Sequence, residues 1–177
     1  MEFKESRVLF KFDENYWLKV IKYDDSKDYH KVSDSVAGTK GVDFVASTSN
    51  QIYLIEIKNY RSHRILSKSK IKELDLQLAQ KVRDTLAGIV GGIRNSTHQQ
   101  ADWKHFLELL IDTECSLHIL LWMEEDTPPG KLQKSARGIM SRRLKQRLSW
   151  LSSNVMVINK INNPLEEFLQ AEFLPDT

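Results

Sequence analysis

The chain has 177 residues, of which 41% are hydrophobic and 28% are charged, so we expect residues 1–177 to form a single domain around one sizeable core. One cysteine, Cys115, excludes an intrachain disulfide and the common cysteine-based zinc sites, which is typical of a reducing, cytoplasmic setting. No signal-like segment opens the chain and its apolar runs are too short to cross a bilayer, so we expect no membrane association. A net charge of +2 does not by itself indicate an anionic partner.

The first half of the chain predicts three strands after an ambiguous start. Residues 15–26 fit a short helix, with Trp17, Val20 and Ile21 at helical spacing, or a strand that ends in a turn, and we favour the helix. Residues 29–32, 41–47 and 51–58 are predicted as strands, with a turn at 48–50 between the last two. We expect the three to form a meander.

Helices and strands alternate in the second half. Apolar residues recur at helical spacing from Ile71 to Ile89, and Gly91 and Gly92 mark a stop. The later elements are predicted as a helix at 101–112, a strand at 116–123, a turn at 127–130, a helix at 131–152, a strand at 154–159 and a helix at 163–169. This order favours an α/β fold, in which a mixed sheet of about five strands has helices on both faces.

One apolar strand carries two charged side chains. Because side chains alternate along a strand, Glu56 and Lys58 project from the same face. If the strands at 41–47 and 51–58 pair as a hairpin, Asp43 approaches Glu56 near one end of the sheet. Two carboxylates this close require a proton or a cation between them, and such oxygen ligands suit Mg²⁺ or Mn²⁺. With Lys58 acting on a water molecule, the three residues predict metal-assisted phosphodiester hydrolysis.

The acid-x-Lys pattern is common, so its context matters. Other copies begin at Glu2, Asp25 and Asp102. Only the copy at Glu56 lies inside an apolar strand and follows another strand that bears an acid. The alternative interpretation is an ordinary ion pair between Glu56 and Lys58 on an exposed edge strand, with Asp43 ending a turn. Spacing alone does not separate the two interpretations.

Residues 41–44, Gly-Val-Asp-Phe, and residues 55–58, Ile-Glu-Ile-Lys, together resemble the signature of the PD-(D/E)xK nuclease superfamily, which has the restriction-endonuclease-like fold. The resemblance implies that Asp43 and Glu56 bind the metal, that the backbone carbonyl of Ile57 helps, and that Lys58 serves the attacking water. Val42 stands where the signature has proline. The family's N-terminal acid is not assigned, and the candidates are Glu14, Asp24 and Asp25.

Many such nucleases also carry a polar residue on the helix after the Glu-x-Lys strand. On a helical wheel, Lys81 flanks the apolar stripe and can reach the sheet, whereas Gln80 points away from it. We therefore expect Lys81 to be an auxiliary catalytic residue. The alternative is a lysine at the border of a buried face that extends its ammonium to solvent.

Two basic runs without acids could bind nucleic acid. The first follows the Glu-x-Lys strand, the second lies in the helix at 131–152, and the predicted contacts to the DNA backbone are Arg61, Arg64, Lys68, Lys70, Arg137, Arg142 and Arg143. The alternative is a solvated helix face. No base-reading motif is present, so no sequence preference is predicted.

Other catalytic patterns find no support. The histidines His63, His98, His105 and His118 lack the spacing of zinc ligands, and the glycine-rich residues 88–95 do not follow a strand as a phosphate-binding loop would.

The sequence therefore favours a Mg²⁺-dependent endonuclease that hydrolyses phosphodiester bonds in DNA, acting as a homodimer if both strands of a duplex are cut. The alternative is a catalytically weak or inactive module of the same fold that binds nucleic acid or a protein partner.

Overall fold

The computed structural model describes residues 1–61, 73–125 and 131–175, with side chains from Arg137 onward in the last range. The strands are β1 Glu2–Glu5, β2 Val8–Phe12, β3 Lys19–Lys22, β4 Phe44–Ser47, β5 Gln51–Asn59, β6 Ser116–Glu124, β7 Val155–Ile158 and β8 Leu169–Phe173. The helices are α1 Lys27–Ser35, α2 Leu74–Asn95, α3 Gln100–Ile111 and α4 Lys131–Leu148.

The strands form two sheets. The larger has the order β3-β4-β5-β6-β7, in which β3, β4 and β5 are antiparallel neighbours and β5, β6 and β7 run parallel. The smaller has the order β1-β2-β8 and is antiparallel. The parallel strands β5, β6 and β7 end at the same edge of the larger sheet, which is where ligands of open α/β sheets commonly bind.

Each face of the larger sheet buries its own apolar core. On one face, residues such as Leu54 and Val45 pack against Val82 of α2 and Trp103 of α3. On the other face the smaller sheet lies over the larger one, and Phe10 meets Trp122 edge to face with ring centroids 5.2 Å apart. Burial of both faces explains why β5 and β6 read as continuous apolar runs.

The predicted α/β class and the mixed five-stranded sheet are confirmed. The second face differs from the expectation of helices on both sides, because the three-stranded sheet covers it. That sheet escaped prediction since β1 and β2 are short, and β8, the second partner of β2, lies at the far end of the chain. The restriction-endonuclease-like label stays a prediction.

Two predictions near the start of the chain are wrong. Residues 15–26 contain strand β3 and not a helix, because Val20 and Ile21 each face one of the two cores. Residues 29–32 lie in helix α1 and not in a strand. The local cause is Ser26, whose side chain accepts a hydrogen bond from the Tyr29 N–H and so caps the helix.

The predicted stop at Gly91 and Gly92 is also wrong, because α2 continues through both to Asn95. Gly92 serves helix packing: a Cβ there would lie 2.4 Å from Cδ1 of Trp103. A glycine at this position lets α3 approach α2 closely. The helices predicted at 101–112 and 131–152 and the strands predicted at 41–47, 51–58, 116–123 and 154–159 are confirmed with small shifts of their ends.

The helix predicted at 163–169 is replaced by turns that lead into β8. The Asn163 side chain accepts a hydrogen bond from the Leu165 N–H, a local contact that competes with helix formation. Leu169 then pairs with Phe12 in the smaller sheet. Within the described ranges, no helix has the length and apolar character needed to span a bilayer.

Candidate functional site

The hairpin of β4 and β5 brings Asp43 beside Glu56. Phe44 is paired with Ile55, so the next residues outward on the two strands are Asp43 and Glu56. An Asp43 oxygen, Oδ2, accepts a hydrogen bond of 2.5 Å from the Ile57 N–H. Since β4 begins at Phe44, this carboxylate takes the place of a backbone acceptor at the end of the ladder.

Two lysines complete the cluster. The Lys81 ammonium of α2 lies 2.8 Å from Glu56 Oε2 and 3.7 Å from Asp43 Oδ1, so it bridges the two acids. The Lys58 ammonium lies 2.6 Å from Glu56 Oε1. We call Asp43, Glu56, Lys58 and Lys81 the acid–lysine cluster. The alternative of an exposed edge strand does not hold, because β5 lies between β4 and β6 and Glu56 is 1% exposed.

Burial and neighbouring charges shift the pKa values of Asp43 and Lys58 in the cluster. The pKa of Asp43 is raised to about 7, mainly by burial and then by the neighbouring charge of Glu56, although Lys81, the Ile57 N–H and Lys58 act in the opposite direction. Burial lowers the pKa of Lys58, but Glu56 and Asp43 outweigh it, so the net shift is upward. Near neutral pH, Asp43 is therefore about half protonated while Lys58 stays charged.

Of the three N-terminal acids considered, Asp24 is the one on which the charge of Lys81 in the cluster acts. Burial raises its pKa to about 6, with the charges of Lys22 and Lys81 acting against this and that of Glu5 adding to it. Its Oδ1 is buried without a hydrogen-bond partner among the described residues. Glu14 instead pairs with the N-terminal amine at 2.9 Å, and Asp25 with Lys22 at 2.7 Å.

Sequence reasoning missed Glu5 and Lys22, which form an ion pair of 3.1 Å beside the cluster. The charge of Glu5 acts on both Asp24 and Lys58. No local pattern in the sequence could have found this pair, because it depends on where the smaller sheet lies on the larger one.

The carboxylate oxygens of Asp43 and Glu56 are the donors that would hold the predicted divalent cation. Lys81 already holds a positive charge between Asp43 and Glu56, so a cation would compete with it for the same oxygens. The N–H of Ile57 points toward Asp43, and since the N–H and C=O of one strand residue point to the same side, its carbonyl also faces this end. In the described part of the chain, no three Asp, Glu, His or Cys side chains group closely enough to hold a metal ion.

Of the predicted nucleic-acid contacts, the structure describes Arg61, Arg137, Arg142 and Arg143. Arg64, Lys68 and Lys70 lie outside the described residues. In α4, Arg137 is 14% exposed and pairs with Glu125 at 2.9 Å. Arg143 lies 3.1 Å from the buried Asp75, which also binds Arg147 at 2.5 Å.

These contacts give two of the predicted α4 arginines structural roles: Arg143 ties α4 to α2, and Arg137 ties it to the residue after β6. Arg142 is exposed. Arg61 lies at the end of β5, where it contacts the ring of Phe173.

No family model matches the chain, and no solved structure matches it. The chain is 28% identical over 160 residues to a cysteine–tRNA ligase from Neisseria meningitidis serogroup A / serotype 4A (strain DSM 15465 / Z2491). The match covers 75% of this chain and 22% of the ligase, so the chain spans about a fifth of the length of this curated relative. The chain is thus similar to part of an enzyme.

This similarity contradicts the predicted function. The relative is a tRNA ligase and not a hydrolase, so the interpretation as a Mg²⁺-dependent DNA endonuclease, and its alternative as an inactive nuclease module, are wrong. The error has a physical origin: two acids and a lysine at the end of paired strands predict a charged pocket, but they do not determine which reaction, if any, occurs in it.

Proposed function

We propose that this chain is an RNA-binding unit for tRNA or a similarly structured RNA, and that the acid–lysine cluster contacts its phosphates. The observation that carries the proposal is the convergence of Lys58 and Lys81 on one buried carboxylate at the edge where β5 ends. The choice of RNA is supported by the relative, whose name states that it acts on tRNA.

The ligation reaction itself is not part of the proposal. The chain spans 22% of the ligase. The glycine-rich residues 88–95 lie inside or at the end of α2 and do not form a loop between a strand and a helix, so they do not form a phosphate-binding loop for a nucleoside triphosphate. A tRNA ligase acts on RNA, and the lysines at this strand edge suit the phosphates of an RNA.

The lysines are placed to meet a phosphate without a large rearrangement. Their side chains remain 29% and 20% exposed, while Glu56 beneath them is 1% exposed. Glu56 therefore fixes the two ammonium groups from below, and each ammonium keeps donors for a phosphate oxygen on its outer side. We also propose that Asp43 and Glu56, with the Ile57 carbonyl, bind Mg²⁺ or Mn²⁺, which would add positive charge facing the phosphate.

Fluorescence anisotropy with a labelled tRNA transcript tests the proposal. We expect Lys58→Ala and Lys81→Ala to weaken binding, and the double variant to reduce the dependence of log K on log salt by about 1.5, as expected for the loss of two phosphate contacts. The control is Lys104→Ala on α3: its neighbour His105 contacts Ser47, at the end of β4 opposite Asp43, and the change removes the same charge.

Two further measurements distinguish a loss of binding from a loss of folding. Lys81→Arg keeps the charge and should retain binding, and thermal unfolding of each variant is measured first. A wild-type chain that binds a DNA duplex as tightly as the tRNA, or a double variant that binds tRNA as the wild type does, would refute the proposal.

Four further expectations stay predictions. The DNA partner is tested by the duplex arm above, and the homodimer by sedimentation equilibrium. The resemblance to the PD-(D/E)xK family is a prediction about the fold family, and the cytoplasmic location is a prediction about where in the cell the protein acts.

A further inference from the structure

Two cations meet one aromatic ring at the end of the smaller sheet. Phe173, the last residue of β8, is 40% exposed. Cζ of Arg61 lies 3.5 Å from the centroid of its ring, and Nζ of Lys160 lies 4.9 Å from the same centroid. We call Arg61, Lys160 and Phe173 the cation–ring cluster.

Arg61 is held in this position by the end of β5. Its backbone N–H and its Nε donate to Asn59 Oδ1 at 3.1 and 3.2 Å. Asn59 in turn donates to the carbonyl of Ser6 at 2.8 Å. Ser6 and Arg7 form the tight turn between β1 and β2, with φ of 49° and 62°. The guanidinium is therefore oriented before any ligand arrives, which lowers the entropy lost on binding.

Lys160 is anchored through its backbone and not through its ammonium. Its N–H donates to Glu124 Oε1 at 2.8 Å, and the same oxygen accepts a 2.6 Å bond from Nε1 of Trp122. Within the described ranges, no carboxylate lies at ion-pair distance from its Nζ. The Lys160 ammonium therefore brings a positive charge to the ring, and an anion can neutralise that charge.

A cavity of about 260 Å³ opens beside Lys160, and its lining also includes Trp122, Asn163, Glu166 and Gln170. A single ribose or base fits such a volume, whereas a duplex does not. Glu166 is exposed there and could accept a hydrogen bond from a ribose hydroxyl, which DNA lacks.

We infer that the cation–ring cluster binds one unpaired nucleotide of an RNA, with the base stacked on the Arg61–Phe173 pair and a phosphate on Lys160. Unpaired bases stack on aromatic rings and on arginine planes, whereas the bases of a duplex are hidden from such contacts. The inference rests on the proposed function, because it assigns a second contact for the same RNA.

The position of the cluster agrees with this assignment. Arg61 is three residues beyond Lys58, at the same end of β5. Asn59, which orients Arg61, and Lys58 project from opposite faces of that strand. A single strand of RNA that crosses this edge of the sheet would meet the lysines on one face and the ring on the other.

Binding of a short single-stranded uridine oligonucleotide and of a blunt RNA duplex tests the inference by fluorescence anisotropy. We expect Phe173→Leu to weaken binding of the single strand at least about fivefold, the lower end of what one stacked base contributes. Lys160→Gln should also weaken it and reduce the dependence of log K on log salt by about 0.7, as expected for the loss of one phosphate contact. Binding of the duplex should be unchanged. Lys104→Ala serves again as the charge-matched control, and Lys160→Gln, which changes an exposed side chain, keeps the test valid if Phe173→Leu unfolds.

The outcomes separate the two proposals. A wild-type chain that binds no RNA of any kind overturns both. A wild-type chain that binds tRNA and depends on Lys58 and Lys81, while Phe173→Leu and Lys160→Gln bind the single strand as the wild type does, overturns this inference alone.

Discussion

Replacing Asp43 with asparagine is expected to stabilise the fold, and by more as the pH rises. Asp43 is 5% exposed and lies beside Glu56, with the Lys81 ammonium 3.7 Å from its Oδ1. Asparagine has the same shape as the protonated acid and keeps an oxygen to accept the Ile57 N–H. The substitution therefore removes a buried negative charge while preserving the hydrogen bond that ends the β4–β5 ladder.

The magnitude follows from proton linkage. The folded-state pKa of about 7 is above the ordinary value of 3.8, so the folded state binds more protons between these values and its stability falls as pH rises through them. The gap corresponds to at most about 4 kcal/mol above pH 7, at about 1.4 kcal/mol per tenfold change in proton affinity. Between about pH 5 and 8 the stabilisation of Asp43→Asn over the wild type should grow by about 2.5 kcal/mol.

Urea unfolding of both proteins across this pH range measures the effect. The matched control is Asp75→Asn, a second buried aspartate with the opposite balance: burial raises its pKa, but Arg147 and Arg143 outweigh this and the net shift is downward. Asp75→Asn should destabilise the fold by about 1–3 kcal/mol, and by less in acid. Equal effects of Asp43→Asn near pH 5 and pH 8 would show that the reasoning about its burial is mistaken.

Three other outcomes are expected. Gly88→Ala should destabilise the fold by about 1–3 kcal/mol, since its Cβ would lie 1.8 Å from the Tyr23 hydroxyl. Gly91→Ala, whose Cβ would meet nothing within 4 Å, should be neutral or stabilise the fold by up to about 1 kcal/mol. Urea unfolding of the two variants measures both effects. Calorimetry should detect Mn²⁺ binding that strengthens from about pH 6 to 8, as Asp43 loses its proton near 7, and that disappears in Glu56→Gln. Without divalent ions, tRNA binding should weaken from about pH 6 to 8, because the negative charge gained by Asp43 repels the phosphate. An affinity for tRNA that rises with pH in parallel with the affinity for Mn²⁺ would contradict the site as described.

The parts of the fold that are visible in the sequence are those decided by local pattern. The hairpin of β4 and β5 and the helix α2 follow from strand alternation and helical spacing. The smaller sheet is not visible, since its strand β8 pairs with β2 across almost the whole chain. Gly92 shows the same limit: its role depends on Trp103, and a glycine in a helical pattern otherwise predicts an end.

The candidate site divides in the same way. Alternation and the helical wheel place Glu56, Lys58 and Lys81 correctly, and the hairpin register places Asp43. Sequence reasoning does not find Lys160 or Phe173, because Phe173 lies on β8, which pairs with the distant strand β2, and both Arg61 and Lys160 contact its ring. Arg143, which was predicted to contact nucleic acid, also forms an ion pair with a buried acid, and its contact with nucleic acid stays a prediction. A basic run in a helix does not reveal which of its residues face the fold.

A comparison of Asp75 with Asp43 shows why the acid–lysine cluster is more than a structural ion network. Asp75 gains two arginines that outweigh its burial, as expected where a buried carboxylate stabilises the fold. Asp43 has one bridging ammonium at 3.7 Å and a second carboxylate beside it, so its ionised form is destabilised. A fold selected for stability alone would replace such a group with a neutral one of the same shape. The strained charge is instead expected of a site where a ligand supplies the missing positive charge, and the strand edge beside Lys58 is where that ligand can enter.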